Sequence, residues 1–143
     1  MKIVRDILKQ KGVMVWTTQP NATVRKALTE MAANDVGALV VTEGDEVIGV
    51  ISERDYARKV IMQGKSSLET LVEDIMSKPP TCVTPDQTMG ECMRQMTEKR
   101  IRHLPVIEGI NLIGVVSIGD VVAAIIGDHE SKIDELENMI YGC

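Results

Sequence analysis

The chain has 143 residues, a mass of 15.7 kDa, a net charge of −5 and a pI near 5.1. That charge excludes a general nucleic-acid binder, which needs a basic surface, and no apolar run approaches the ~20 residues that cross a bilayer. With 44% apolar residues but no Phe, one Trp, two Tyr and nine Met, the core must be aliphatic and adaptable in its packing.

Residues 2–9 read as a short helix and 13–18 as a short strand. Gln19-Pro20-Asn21-Ala22 is a turn, and Thr23 caps a helix with Val24, Ala27, Leu28 and Met31 at helical spacing. Residues 36–42 form a nearly continuous apolar run, the mark of a strand buried on both faces. Glu43-Gly44-Asp45-Glu46 turns into a strand at 47–52, and a helix follows over 53–63. After a polar link at 64–68 the pattern returns: a helix at 69–76, a strand at 81–84 and a helix at 88–99 with Met89, Cys92, Met93 and Met96 inward. Strands at 104–107 and 112–117 and a helix from 118 complete it. Gly127-Asp128 is a place for that helix to kink or break. The tail from His129 to Tyr141 reads as helical, with Ile133, Leu136, Met139 and Ile140 on one face and acids on the other.

The return is a true repeat. Shifted by 65, residues 23–55 fall on 88–120 without a gap, with identities such as Thr23/Thr88, Met31/Met96, Leu39/Leu104, Gly49/Gly114, Ser52/Ser117 and Asp55/Asp120. Before this block the offset becomes 68, where Val4-x-Asp6-Ile7-Leu8 matches Val72-x-Asp74-Ile75-Met76. The first copy therefore carries three extra residues around 9–15. Each copy is β-α-β-β-α, too small for a core of its own, so the predicted fold is α+β. Two pseudo-symmetric repeats pack sheet to sheet, with clefts between them and a C-terminal helical tail. The expected boundaries are 1–66, 67–128 and 129–143.

The densest chemistry is the pair Gly49-Val50-Ile51-Ser52-Glu53-Arg54-Asp55 and Gly114-Val115-Val116-Ser117-Ile118-Gly119-Asp120. In each, a strand runs through Ser into a helix start, where unpaired N–H groups suit a phosphate. The plain alternative is a capping box, with Ser as cap and Asp three residues on, needing no ligand. Lys99, Arg100, Arg102 and His103 form a cationic cluster that is either a solvated edge or a phosphate trap. Arg54, Arg58 and Lys59 either meet phosphate, pair with Glu53 and Asp55, or sit at a dimer contact. Trp16 is core filler or a stacking platform for a ring. Three cysteines, Cys82, Cys92 and Cys143, lack metal or C-x-x-C spacing and read as reduced thiols. The N-terminus, Met1-Lys2-Ile3-Val4-Arg5-Asp6, carries an acid and no long apolar segment, unlike a secretory signal, so a cytoplasmic location is expected. No catalytic set of Ser, Cys or His stands out, which predicts no enzyme and no metal.

The doubled unit, the paired motif and Arg102-His103-Leu104-Pro105-Val106-Ile107 before a glycine turn resemble the cystathionine-β-synthase (CBS) domain. Two in tandem, over 2–130, resemble a Bateman module. The chain is similar to the stand-alone two-CBS proteins of bacteria and the plant organellar single-pair group. The resemblance implies adenosine ligands: AMP, ADP or ATP first, with NAD(H) or S-adenosylmethionine as further options. It implies Asp55 and Asp120 on ribose, and Ser52, Ser117, Arg102, His103 and Arg54 toward phosphate. Adenine would lie on Val15, Trp16, Val36, Gly37 and Ala38 in the Asp120 cleft, and on Thr81, Cys82, Val83 and Ile101 in the Asp55 cleft. The Asp120 cleft, with Arg102, His103 and Trp16, is the expected first site. The implied role is energy or redox sensing, in which a homodimer passes a ligand-dependent shift to a regulated partner, with no nucleic acid or membrane involved. The alternative is an assembly module whose clefts are vestigial, and a third reading, a small nucleotide hydrolase, would need the same acids to support turnover.

Overall fold

The computed structural model describes residues 2–12 and 14–141, apart from the side chains of residues 131, 140 and 141. Val13, where the first strand was expected to start, and Cys143 lie outside the described residues, as does the side chain of Ile140 in the tail stripe. The elements are α1 (Val4–Lys11), β1 (Thr17–Thr18), α2 (Val24–Asn34), β2 (Ala38–Glu43), β3 (Glu46–Ser52) and α3 (Glu53–Tyr56), which continues as a π-turn over Ala57–Ile61. The second half holds α4 (Val72–Ile75), α5 (Met89–Lys99), β4 (His103–Glu108), β5 (Asn111–Ser117) and α6 (Ile118–Tyr141).

Local chemistry repeats with the sequence. The Thr23 and Thr88 side chains each accept the backbone N–H three residues on, both at 3.2 Å, and so cap α2 and α5. Both helices end on a left-handed residue, Asp35 and Arg100. In both hairpins the register slips at the same place, Val41/Thr42 and Val106/Ile107.

The first sheet has the order β1-β2-β3, with β1 parallel to β2. The second has only β4 and β5, and the strand expected at 81–84 is reduced to one parallel bridge, Val83 to Val106. Pro105 explains the loss. Its counterpart Val40 donates its N–H to the Trp16 carbonyl at 3.2 Å, a bond that proline has no N–H to make. Val40 is 1% exposed, although strand alternation turns it away from Leu39 and Val41, which pack on the helices of their own repeat. Its burial therefore falls on the face where the two repeats meet.

The two short leading helices are exchanged. Val4, Ile7 and Leu8 of α1 belong to the core of the second repeat, with Val83, Cys92, Leu104 and Val116. Val72, Ile75 and Met76 of the α4 segment belong to the first, with Met31, Leu39 and Ile51. Backbone bonds fix the exchange. Val4 and Arg5 donate to Gln87 and Pro85, and Val72 and Glu73 donate to Ala22 and Pro20, all at 2.9 Å. These bonds satisfy N–H groups that a helix start leaves unpaired. The sequence boundary at 66/67 therefore separates repeats but not packing units.

Gly127-Asp128 does not interrupt α6, which runs unbroken from Ile118 to Tyr141. One glycine costs a helix only about 1 kcal/mol, and the Lys2 backbone N–H reaches the Asp128 carboxylate at 3.3 Å. Beyond the fold, Ile133, Leu136 and Met139 are half or more exposed.

Gly49 and Gly114 sit where the exchanged helices press on the sheets. A Cβ on Gly49 would stand 2.8 Å from Met76 Sδ and 2.9 Å from the Ser77 carbonyl, and one on Gly114 would stand 2.5 Å from Leu8 Cδ2. Leu8 Cδ2 is the tip of a side chain that can turn aside, whereas the Ser77 carbonyl is backbone. We therefore expect Gly49→Ala to cost about 1–3 kcal/mol and Gly114→Ala less, by urea denaturation of both variants. Equal costs would show that the carbonyl clash does not matter.

Candidate functional site

Both Ser-x-x-Asp motifs form complete capping boxes. Ser52 N–H donates to Asp55 Oδ2 at 2.9 Å, and Asp55 N–H donates to Ser52 Oγ at 3.2 Å. The Ser117/Asp120 pair repeats this at 2.8 and 3.1 Å. The plain reading of the motif thus holds in both copies, and any difference between the sites lies in what surrounds each carboxylate.

Asp55 faces a cleft of about 330 Å³ between the repeats. One wall comes from the first repeat, with Ser52, Arg54, Asp55, Arg58 and Lys59; the other comes from residues 99–103 of the second. Pro79, Pro80 and Thr81 also line it, as does Gly37. Six permanent cations, Arg54, Arg58, Lys59, Lys99, Arg100 and Arg102, stand against two carboxylates, Glu53 and Asp55, in a chain of net charge −5. Asp55 Oδ1 keeps an ion pair with Lys59 Nζ at 3.3 Å, and Lys59 also donates to the Ile75 carbonyl at 2.8 Å. The Arg54 guanidinium is shifted down by desolvation and then by the like charges of Arg102 and Arg58.

Asp120 is surrounded differently. Its Oδ2 accepts Lys11 Nζ at 2.7 Å, and Lys11 also donates to the Val115 carbonyl at 2.9 Å. Burial pushes the Asp120 carboxyl up, but the Lys11 ammonium and the Ser117 N–H outweigh it and hold the group below its usual range. His103 lies between the two aspartates, with Nε2 3.6 Å from where a Gly37 side chain would begin. Burial holds His103 below its ordinary value, and Lys11 and Arg102 add to this, against opposing pulls from Asp120 and Asp55.

The structure regroups the predicted residues. Arg102 and His103, expected beside Asp120, line the Asp55 cleft together with Ser52, Arg54, Gly37, Thr81 and Ile101. α5 ends at the left-handed Arg100, as α2 does at Asp35, and the chain from Lys99 to His103 forms one wall opposite α3. Gly37 lines the same cleft rather than only the Asp120 side. Trp16 and Val36, expected on the Asp120 side, pack against the core of the first repeat, and Val15 and Ala38, expected there too, are half-buried; none of the four lines the Asp55 cleft. Val83 is 1% exposed within the second core. Cys82 lines a separate groove with Glu43, Asp45, Glu46, Val47, Ile107 and Ile110. Cys92 is fully buried. Sequence reasoning missed Lys11 altogether; the only signal was its place in the three-residue insertion that breaks the repeat. Among the described residues no group of three or more His, Cys, Asp or Glu could hold a metal ion.

A model of the CBS domain matches residues 4–61 and 72–127. The chain belongs to the CBS-domain family. It is 42% identical over 149 aligned residues to the mitochondrial CBS domain-containing protein CBSX3 of Arabidopsis thaliana, covering 97% of this chain and 72% of that one. Its fold matches a solved protein with CBS domains from Burkholderia ambifaria at a TM-score of 0.84 and 46% identity, over 89% of this chain and 96% of that one. The CBS pair of protein MJ0100, solved with 5′-methylthioadenosine and S-adenosyl-L-methionine, shares the fold at a TM-score of 0.78 and 22% identity, over 90% and 98%. The CBS pair is a regulatory ligand-binding module and not a catalytic one, and this chain carries two CBS domains in tandem. No helix among the described residues is long and apolar enough to cross a membrane.

The depressed His103 gives the protein a pH dependence of definite sign. Unfolded, the imidazole takes a proton near its ordinary value of 6.5, whereas folded it takes one only lower. The unfolded state therefore binds more protons in that window, and stability falls as pH drops below 6.5 toward the folded value. Asp120, whose carboxyl is depressed, contributes its loss only at lower pH, below the ordinary carboxylate value of 3.8. Urea midpoints measured from neutral pH to about 5.5 should fall in the native chain and fall less in His103→Gln. An unchanged slope in the variant would remove His103 as the cause.

Proposed function

We propose that the Asp55 cleft binds an adenine nucleotide and that the pair acts as a regulatory sensor on a partner protein. One observation carries the reading: six cations from both repeats converge on a capped helix start whose carboxylate faces the same space. Asp55 accepts the vicinal ribose hydroxyls, turning Oδ1 from Lys59 to the sugar. Ser52, the start of α3, Arg54, Arg102 and His103 take the phosphates by charge-assisted bonds. Thr81, Ile101, Gly37 and the two prolines form the shelf for the base. Of the expected base contacts, Cys82 and Val83 contribute no side chain to this shelf.

Charge orders the ligands. ATP and ADP offset the cations best, AMP and NAD(H) less with about two phosphate charges each, and the sulfonium of S-adenosylmethionine adds to the repulsion. The adenosyl ligands of the MJ0100 pair support the nucleoside part of the reading. Because the two walls belong to different repeats, ligand favours the arrangement that brings them together, by no more than its differential affinity. Exposed Ile61, Met62, Val122 and Ile126 offer apolar surface for a homodimer. A second reading, a docking module with unused clefts, is favoured by the apolar stripe Ile133, Leu136 and Met139 on the acidic end of α6.

Calorimetric titration with ATP, ADP, AMP, NADH and S-adenosylmethionine separates the two. We expect ATP to bind tighter than about 1 mM and S-adenosylmethionine most weakly of the five. Asp55→Asn and Arg102→Ala should each weaken ATP about tenfold, the loss of one charge-assisted bond. Asp120→Asn, which perturbs an equivalent cap, should leave the affinity within about twofold. If no nucleotide reaches millimolar affinity, the sensor reading is lost and the docking reading takes its place.

A further inference from the structure

We infer that Lys11 is the chain's own partner for Asp120, holding the carboxylate where a second ribose would bind, and that it confines nucleotide to the Asp55 side. The inference rests on the nucleotide reading above, and it names the residue that decides between two sites the sequence makes nearly equal.

The asymmetry begins in the lengths of the leading helices. α1 has eight residues and α4 has four. The extra length belongs to the insertion that the second copy lacks, and it ends at Lys11. Because the leading helices are exchanged, this added turn lies across the second repeat, against β5 and the start of α6. Its ammonium meets Asp120 Oδ2 at 2.7 Å and the Val115 carbonyl at 2.9 Å. The equivalent carbonyl in the first repeat, Val50, is taken instead by the Ser77 backbone N–H at 2.9 Å. No side-chain cation from the leading helix α4 reaches Asp55. Its partner Lys59 comes from the same helical segment, four residues on, and meets the other carboxylate oxygen at 3.3 Å.

The position of the ammonium matters more than its charge. A ribose bound at such a motif donates its hydroxyls to the carboxylate, and Lys11 already donates there. Its Nζ is tied between Asp120 and a carbonyl, as Lys59 Nζ is tied between Asp55 and the Ile75 carbonyl; the difference is that Lys11 reaches in from the exchanged leading helix and lies closer, at 2.7 Å against 3.3 Å. A nucleotide entering would have to break two charge-assisted bonds held intramolecularly, against an effective concentration of order millimolar or more. The cluster of six cations lines the Asp55 cleft, and beside Asp120 the hairpin sets His103 opposite Ser117.

The test is ATP stoichiometry by calorimetry on the full chain, with folding of each variant checked by its melting transition. The native chain should bind one ATP and Lys11→Met two. Lys11→Arg, which keeps a cation at the carboxylate, should stay at one. Asp55→Asn should bind ATP about tenfold more weakly, and adding Lys11→Met to it should restore one site of native affinity. Two sites in the native chain, or one in a folded Lys11→Met, would overturn the inference while leaving the Asp55 reading intact. No site in the native chain but one in Lys11→Met would overturn the Asp55 reading and uphold the role of Lys11. No binding in either would overturn both.

Discussion

The contact between each exchanged leading helix and a glycine on the opposite repeat's last strand underlies the rest of the architecture. Leu8 on Gly114 and Met76 on Gly49 bring the helix and strand closer than any side chain at those glycines would permit. Neither repeat can complete its core without the other's leading helix, since Val4, Ile7 and Leu8 fill one and Val72, Ile75 and Met76 fill the other. A repeat of some sixty residues would be marginal alone. The exchange turns two marginal cores into one cooperative unit, and it fixes the distance between the strand ends that open the clefts.

That arrangement also explains why the motif begins with glycine and ends with aspartate. The glycine admits the partner helix, and the strand continues to Ser52 or Ser117, whose cap starts the next helix. The aspartate closes the cap through one oxygen in both copies. A capped carboxylate is thus a structural part first, which is why the motif alone cannot separate a helix start from a binding site. In the Asp55 copy the second oxygen meets a lysine at the cleft wall. In the Asp120 copy the capping oxygen itself carries the chain's own ammonium. Identical local motifs therefore end with different chemical capacity.

The elements, the repeat and the sheet-to-sheet pairing were legible because each rests on short-range patterns: caps at Thr23 and Thr88, glycine turns, and aliphatic alternation. The reduced strand at 81–84 was also written in the chain, since Pro105 stands where Val40 donates a sheet bond, but only aligning the copies residue by residue exposes it. The exchange of leading helices was not legible. The apolar residues of α1 and α4 fit either core, and only the three-dimensional path decides which. The same limit hid that Arg102 and His103, which adjoin the Ser117 motif across the hairpin, also line the Asp55 cleft. The sequence places them at a strand start, but not which neighbouring wall their side chains meet across the repeats. For Lys11 the insertion marked a break in symmetry without saying where the ammonium goes.

The asymmetry gives the proposed sensor its direction. A symmetric pair with two equal clefts would respond to ligand by drawing both sides together equally, and partial occupancy would leave a mixture of states. Here the wall residues 99–103 and the α3 residues belong to different repeats, and like charges oppose each other across one cleft, where Arg54 is shifted down first by desolvation and then by Arg102. An anion between them changes a repulsive contact into a bridging one, so its binding energy depends on how the repeats are placed, as a population shift requires. On the other side, the Lys11 bridge ties α1 to the start of α6 by bonds that do not depend on the ligand. One edge of the interface is thus held while the other answers to charge. In the proposed sensor, α6 begins at the held edge and carries exposed apolar residues beyond the fold.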